Sequence, residues 1–501
     1  MRDPRRTAAS ALNVVHSGLD QTLLGAAAVT LVGGMLGMGF RYALTFILAR
    51  GYTAAVVGSF AFGVVVLQIG GLLSRVGLDS AAQRYVSIYE SNGDWARVSG
   101  TVAVCLVVPL VIGSVVAVAG LIAFETFGRG LDPRISSVTW LFVLGIPLYG
   151  MMWTAMAATR GFKRAKYMTY VRDVIQSGTA VLVAGLGAVS GLSVAWVVGG
   201  YLLSVGFGTA LALWFLHKEG AFRAIRTAVF EVRELLSYAL PLFAAALSSY
   251  VTRWTDLLML GVLVPAAAVG RYHVAFQAAW LLSIGLRSVN SVFPAMAADL
   301  HEQQQFEELG QRFEAVTRWV SMLTLLGLLY LIVYGEAILE LFGETYGSAL
   351  LPLAVLAGAQ FVAVSTGPSG YLLSMSEYER VEAANTVGVA VLNVGLNFVL
   401  ITEHGIIGAA IATGTSVALL NIARLFEVRA LIGIQPYSRR YLKGLLGVAV
   451  GGVVLAAGTR LSDPGVLWLV AVGTLAVAAF VSTMWTLGVE ERDRVLIDSI
   501  A

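Results

Sequence analysis

Charge is what this sequence has least of. Only 13% of its 501 residues are Asp, Glu, Lys or Arg, against about 25% in ordinary globular domains, while 58% are hydrophobic and the mean hydropathy is +0.80. That balance excludes a soluble globular protein. Cysteine is missing except for Cys105, so no internal disulfide can form and no thiolate metal site can assemble. The five histidines (His16, His217, His273, His301, His404) are scattered, and neither HExxH nor GxxxxGK[ST] occurs. These gaps argue against a membrane-bound glycosyltransferase, ligase or polymerase and against direct ATP hydrolysis. The net charge of +3 does not identify a partner, because a membrane protein needs basic residues for orientation before it needs them for ligands.

What the sequence does contain is a series of apolar runs about 20 residues long, the length that crosses a hydrocarbon core of roughly 30 Å. They predict an all-α polytopic membrane protein with about 14 spans, at 22–48, 53–74, 99–124, 138–159, 171–190, 193–216, 235–262, 272–293, 315–334, 350–374, 382–402, 406–430, 443–459 and 465–488. The first run is too long, and lacks the small-residue cleavage site, for a removable signal peptide. Lys and Arg favour the loops on the N-terminal side by roughly 25 to 5, which predicts cytoplasmic N- and C-termini by the positive-inside rule. No outward loop exceeds about a dozen residues, so function is expected among the helices. The longest inward connection, EGAFRAIRTAVFEVRELL (219–236), spaces Phe222, Ile225, Val229, Val232 and Leu236 as an interfacial amphipathic helix would.

Sliding the chain along itself reveals a repeat. TAAVVGSF (53–60) aligns with PAAAVGRY (265–272) at an offset of 270 − 58 = 212, and the same offset places Arg41 on Arg253 and Arg75 on Arg287. At 405 − 191 = 214, GLSVAWVVGG lies over GIIGAAIATG. The expected organisation is a cytoplasmic tail (1–21), a six-helix lobe (22–216), an amphipathic linker (217–234), a pseudo-symmetric six-helix lobe (235–431), two additional helices (432–488) and a cytoplasmic tail (489–501). The lobes begin an even number of crossings apart, so they share one orientation, and Arg41 and Arg253 fall at matching depths.

A cation near mid-bilayer costs roughly 2.5–3.5 kcal/mol on insertion scales and usually faces a bundle interior or a wet cavity. Two readings of Arg41 stand: an anion-binding group facing inward, or a helix-end residue whose stem snorkels to the headgroups. Arg253 has Asp256 at i+3, either a neutralising neighbour or, if the pair separates during transport, a coupling site for H⁺ or Na⁺. The guanidinium fork suits phosphate, to which it can donate two hydrogen bonds. Arg75 and Arg287 lie nearer the inner helix ends, as positive-inside anchors or as a first contact station for the same headgroup. Gln68, Gln277, Asn290, Gln360, Asn385, Asn393 and Asn397 are polar residues within spans, where bridging helices is as common as binding solute. Gly33, Gly37, Gly199 and Gly200 permit close helix approach, and Pro147, Pro241 and Pro294 can bend helices.

The stretch SEYERVEAANTVGVAVLNVGLNFVLITEHGIIGAAIATGTS (376–416), with a fainter counterpart in RGFKRAKYMTYVRD (160–173) and GLSVAWVVGG, resembles the polysaccharide-transport branch of the multidrug/oligosaccharidyl-lipid/polysaccharide exporter superfamily. The resemblance implies a V-shaped pair of six-helix lobes that alternate access around a central cavity and move lipid-linked oligosaccharides from the cytoplasmic to the external leaflet. It further implies that cavity arginines bind the phosphate, a role that Arg41 and Arg253 fit by location. Related cation-exporting branches rely on buried carboxylates, and the sequence offers only Asp256 as a convincingly intramembrane acid.

The expectation is therefore a flippase and not an enzyme, with a cation-coupled multidrug efflux antiporter of the same fold as the alternative. No cofactor and no nucleic acid is expected. The partners are an isoprenoid-linked glycan, membrane lipids and glycosyltransferases of the same pathway, the oligomeric state a monomer, and the location the plasma membrane. Expelling one negative charge from a cytoplasm at −100 mV is favourable by about 2.3 kcal/mol, so the potential alone could drive an anionic headgroup outward.

Overall fold

The computed structural model describes residues 32–460 and 465–487. Two expectations therefore fall outside the described residues: the cytoplasmic tails, and the first ten residues of the leading span. The chain forms two compact units, Met1–Leu247 and Ser248–Ala501. Among the described residues, nine helices are long and apolar enough to cross a bilayer, or up to twelve if each of three bent helix pairs is one span.

In the first unit the helices are α1 (Val32–Gly51), α2 (Ala54–Arg75), α3 (Leu78–Ser91), α4 (Trp95–Phe127), α5 (Pro133–Leu144), α6 (Ile146–Gly161), α7 (Lys166–Met168), α8 (Ser177–Val189) and α9 (Val194–Lys218). A π-helical turn, Thr169–Gln176, joins α7 to α8. Polar side chains start the helices where the sequence supplies them: Asp94 accepts the Arg97 N–H, and Asp132 accepts the Arg134 N–H beside Pro133 in the first turn. The α2–α3 corner requires glycine, because Gly77 has φ +79° and a Cβ there would meet the Ala239 carbonyl oxygen at 2.3 Å.

Helix α10 (Val232–Leu263) runs from the first unit into the second. It is followed by α11 (Ala266–Trp280), α12 (Ile284–Val289), α13 (Phe293–Glu302), α14 (Phe306–Glu340), α15 (Leu350–Ser365), α16 (Ser369–Ser374), α17 (Glu379–Glu427), α18 (Tyr441–Gly458) and α19 (Val466–Thr486). Two of the bends fall at prolines, 49° between α5 and α6 at Pro147 and 40° before α13 at Pro294. Pro241 does not locate the third. The 56° bend of α10 lies between Tyr250 and Arg253.

A straight helix of the length of α17 would extend about 74 Å, more than twice the apolar core of a bilayer. Instead it folds back on itself. Gly405 breaks the helix at φ 57°, ψ −129°, and a Cβ on Gly408 would meet the Leu400 carbonyl oxygen at 1.8 Å. The two arms run antiparallel, pinned by Asn393 Nδ2 donating to Ser416 Oγ at 3.2 Å, Asn385 Nδ2 to Glu427 Oε2 at 2.5 Å, and the Arg424–Glu382 ion pair. These asparagines are helix bridges. Helices α18 and α19 dock on α14 through a core of Met322, Leu326, Leu455, Val472 and Phe480. Tyr330 and Tyr334 add hydrogen bonds to the Leu469 and Leu455 carbonyls at 3.0 and 2.9 Å.

The linker corrects the expectation of an amphipathic helix. Residues 219–231 contain only one short 3₁₀ turn, Ile225–Thr227, and helix begins at Val232. Tertiary contacts override the helical spacing here. Val229 N–H donates to the Ala96 carbonyl, Ala224 N–H donates to Ser99 Oγ, and the Arg223 guanidinium lies 3.3 Å from the Trp95 ring centre. Gly100 makes room, since a Cβ there would meet the Val229 carbonyl oxygen at 1.8 Å. Glu231 accepts from Tyr89 and pairs with Arg97 at 3.2 Å. Burial first, then the Glu231 carboxylate, push the Tyr89 phenol well above its usual range, so it remains a donor.

Candidate functional site

The first-unit site begins with how α1 meets the π turn. A Cβ on Gly33 would meet Thr169 Cγ2 at 2.1 Å, one on Gly37 would meet Asp173 Cβ at 2.4 Å, and one on Gly51 would meet Ala188 Cβ at 2.5 Å. The two segments therefore run side by side in the same direction, with glycines admitting the close approach. Between the last two contacts α1 advances 51 − 37 = 14 residues and its neighbour 188 − 173 = 15. A π turn inserts one such extra residue, and π turns often mark functional sites. Ser177 Oγ donates to the Arg172 carbonyl at 3.0 Å, five residues back.

One turn beyond Gly37, the Arg41 side chain reaches back toward the start of its helix, as helical side chains do. It meets Asp173, Nη1 to Oδ1 at 3.1 Å. The Arg41 side chain is 43% exposed and that of Asp173 13%, so the acid is the more enclosed partner. Arg41 also lines a cavity of about 70 Å³ with Gln68, Tyr149, Arg172, Gln176 and Tyr201. A side-chain carboxylate thus contacts the guanidinium. Arg172 lies 5.1 Å from the Trp153 ring centre. The cavity has room for a small polar group such as a phosphate.

Beside Asp256, Asp173 is a second enclosed acid, its side chain 13% exposed. It and Arg172 stand at the inner edge of the expected span 171–190, where charged residues read as ordinary helix ends. The signal was present in RGFKRAKYMTYVRD, whose last two residues form the site.

The other expected residues find different partners. Arg75 is buried, lies 5.0 Å from the Trp153 ring centre and pairs with Asp79 at 3.6 Å. In the second unit the Arg253 guanidinium lies 4.5 Å from the Trp280 ring centre and 5.5 Å from that of Trp254. Arg287 lies 3.5 Å from the same Trp280 ring and donates to the Trp280 carbonyl at 3.0 Å. Trp280 thus brings Arg253 and Arg287 together. Asp256 is buried on α10 and accepts from Tyr272 Oη at 2.5 Å, the Leu257 N–H at 2.7 Å and Thr413 Oγ1 at 3.4 Å. Next to Tyr272, His273 Nε2 and Gln277 Nε2 are 2.7 Å apart.

A polytopic helical bundle with a guanidinium-lined polar cavity belongs to the class of membrane transporters rather than enzymes. The particular family follows from comparison: residues 23–298 match the family described as polysaccharide biosynthesis protein, more than half of the chain, and the chain belongs to that family. It is 22% identical over 411 residues to the probable low-salt glycan biosynthesis flippase Agl15 of Haloferax volcanii, covering 81% of this chain and 83% of that one. Among solved structures it shares its fold with the lipid II flippase MurJ in an inward closed conformation (TM-score 0.69, 13% identity, 92% of this chain and 98% of that one). It also shares it with a multidrug resistance MATE family transporter of the MOP superfamily in an inward-facing conformation (TM-score 0.68, 14% identity, 81% and 98%).

Proposed function

We propose that the protein flips a lipid-linked oligosaccharide or polysaccharide precursor from the cytoplasmic to the external leaflet by alternating access. Arg41 and Arg253 bind the phosphate or pyrophosphate, and Arg75 and Arg287 form its first contact station. The observation that carries this reading is the Arg41 cavity, a polar pocket lined by two guanidinium groups among apolar helices, in a chain of the polysaccharide biosynthesis family. The flippase names of Agl15 and MurJ support it. Reading α17 as two spans and the segment from α7 to α8 as one brings the upper count of twelve to fourteen, arranged as lobes 22–216 and 235–431 with two additional helices. The protein acts as a monomer in the plasma membrane with both termini cytoplasmic, alongside glycosyltransferases of its pathway.

The outward step is driven by membrane potential, with Asp256 as the site of any ion coupling. Deleting the gene and assaying on which leaflet lipid-linked glycan accumulates tests the direction. Cytoplasmic accumulation is expected, and external accumulation contradicts the proposal. A flipping rate in proteoliposomes that does not respond to imposed potential contradicts the driving force.

A second reading, a cation-coupled multidrug efflux antiporter, is favoured by the buried Asp256–Tyr272–Thr413 cluster and by the MATE fold. It requires Asp256 to be essential and Arg41 to be replaceable.

A further inference from the structure

The expected partner of Arg41 is Arg253, from the other half of the repeat. The first unit supplies a second guanidinium of its own. Arg172 lines the same cavity as Arg41, with Gln68 and Gln176 as neutral neighbours able to donate, and Asp173 is the next residue in the chain. The π turn places consecutive residues in different roles: Arg172 lines the cavity while Asp173 meets Arg41 at 3.1 Å. Gly37 makes this possible, since a Cβ on it would lie 2.6 Å from Asp173 Oδ1.

We propose that Arg41 and Arg172 form a two-guanidinium claw for one phosphate group of the lipid carrier. Asp173 is its built-in counter-anion, displaced from Arg41 when the phosphate enters and re-paired when it leaves. This rests on the flippase reading and deepens it. With no phosphate bound, two cations and one carboxylate leave the cavity with a net charge of +1. Without Asp173 it would carry two uncompensated cations lining one cavity, a costly state that would also hold an anion too tightly to release it. With Asp173 present, phosphate oxygens replace one carboxylate on Arg41 and gain the charge-assisted donors of Arg172.

The test uses the purified full-length protein, titrated with farnesyl phosphate, with farnesol as the uncharged control and inorganic phosphate as the lipid-free control. Wild type is expected to bind farnesyl phosphate and to bind both controls far more weakly. Arg172→Gln should weaken farnesyl phosphate binding about tenfold, with partial recovery in Arg172→Lys, because lysine keeps the charge and loses the fork. Asp173→Asn should tighten binding several-fold while slowing flipping in proteoliposomes, an opposite pairing that a merely structural defect would not produce.

Wild-type binding of Arg172→Gln alongside loss in Arg41→Ala would overturn the claw and leave the flippase reading standing. Equal weakening by Asp173→Asn and Arg41→Ala would overturn the counter-anion role. Inorganic phosphate binding as tightly as farnesyl phosphate would overturn the lipid headgroup as ligand. Failure of wild type to bind farnesyl phosphate at all would overturn this proposal and the phosphate-binding reading together.

Discussion

In the first half of the chain Arg41 faces a carboxylate, Asp173 at 3.1 Å. In the second half the aligned Arg253 lies 4.5 Å from the Trp280 ring centre, which Arg287 approaches to 3.5 Å. The acids are distributed just as unequally. At the offset of 212, Leu44, which lines the first-unit cavity, aligns with Asp256, and Phe60, packed edge-on against Phe142 and Tyr201, aligns with Tyr272. One half has an apolar leucine and phenylalanine where the other has a buried acid and the phenol that donates to it. A repeat preserves the depth of a residue without preserving its partner. The first half sets a carboxylate against its arginine, whereas the second sets an indole ring against its two arginines and holds its acid on a phenol.

The largest expected effect tests the cationic half. Arg41→Ala should lower flipping about 100-fold, equivalent to about 2.8 kcal/mol, with membrane insertion intact. It removes a phosphate donor and leaves Asp173 enclosed without its counter-ion. A variant that inserts normally and flips at the wild-type rate would remove the distinction between the halves. Next is Gly37→Ala, whose new methyl carbon would lie 2.8 Å from the Asp173 backbone Cα. Overpacking costs about 1–3 kcal/mol, and thermal unfolding in detergent should register it together with lost transport. Gly34→Ala meets nothing within 4 Å and should match wild type in the same assay.

Asp256→Asn should act on the other half alone, abolishing any dependence of transport on an imposed ion gradient while flipping under an imposed potential falls no more than about threefold. Complete loss under potential would instead make the acid part of the transport step itself. Smallest is the response to lysine. Arg253→Lys keeps a cation near the Trp280 face, worth about 0.5–2 kcal/mol, and should stay within about threefold of wild type. Arg41→Lys gives up the planar fork and should lose about tenfold. Equal losses would mean that both arginines meet the substrate through the same geometry.

Helical class, the recurrence of membrane-length apolar helices and the family were legible in the sequence, the first two because bilayer thickness imposes a length that hydropathy reports directly. What Arg41 touches was not, because the one-residue π insertion that turns Asp173 toward it leaves no periodic mark in so short a segment. The linker misled for a related reason: its spacing is helical, but Gly100, Ser99 and Trp95 on α4 hold it in a path of turns. Asn393 and Asn397 read as polar residues within a span, and only the reversal at Gly405 shows what Asn393 bridges. Asp256 stands out in the sequence as an acid within a span, yet its side-chain donors come from elsewhere, Tyr272 from the next helix and Thr413 from far along the chain.

The central claim is that arginines within the membrane grip the phosphate of a lipid-linked glycan. Flipping of such a substrate in proteoliposomes under an imposed potential, compared between wild type and the Arg41→Ala/Arg253→Ala double variant, tests it most directly. The double variant is expected to insert and no longer to flip. Normal turnover by that variant would contradict it.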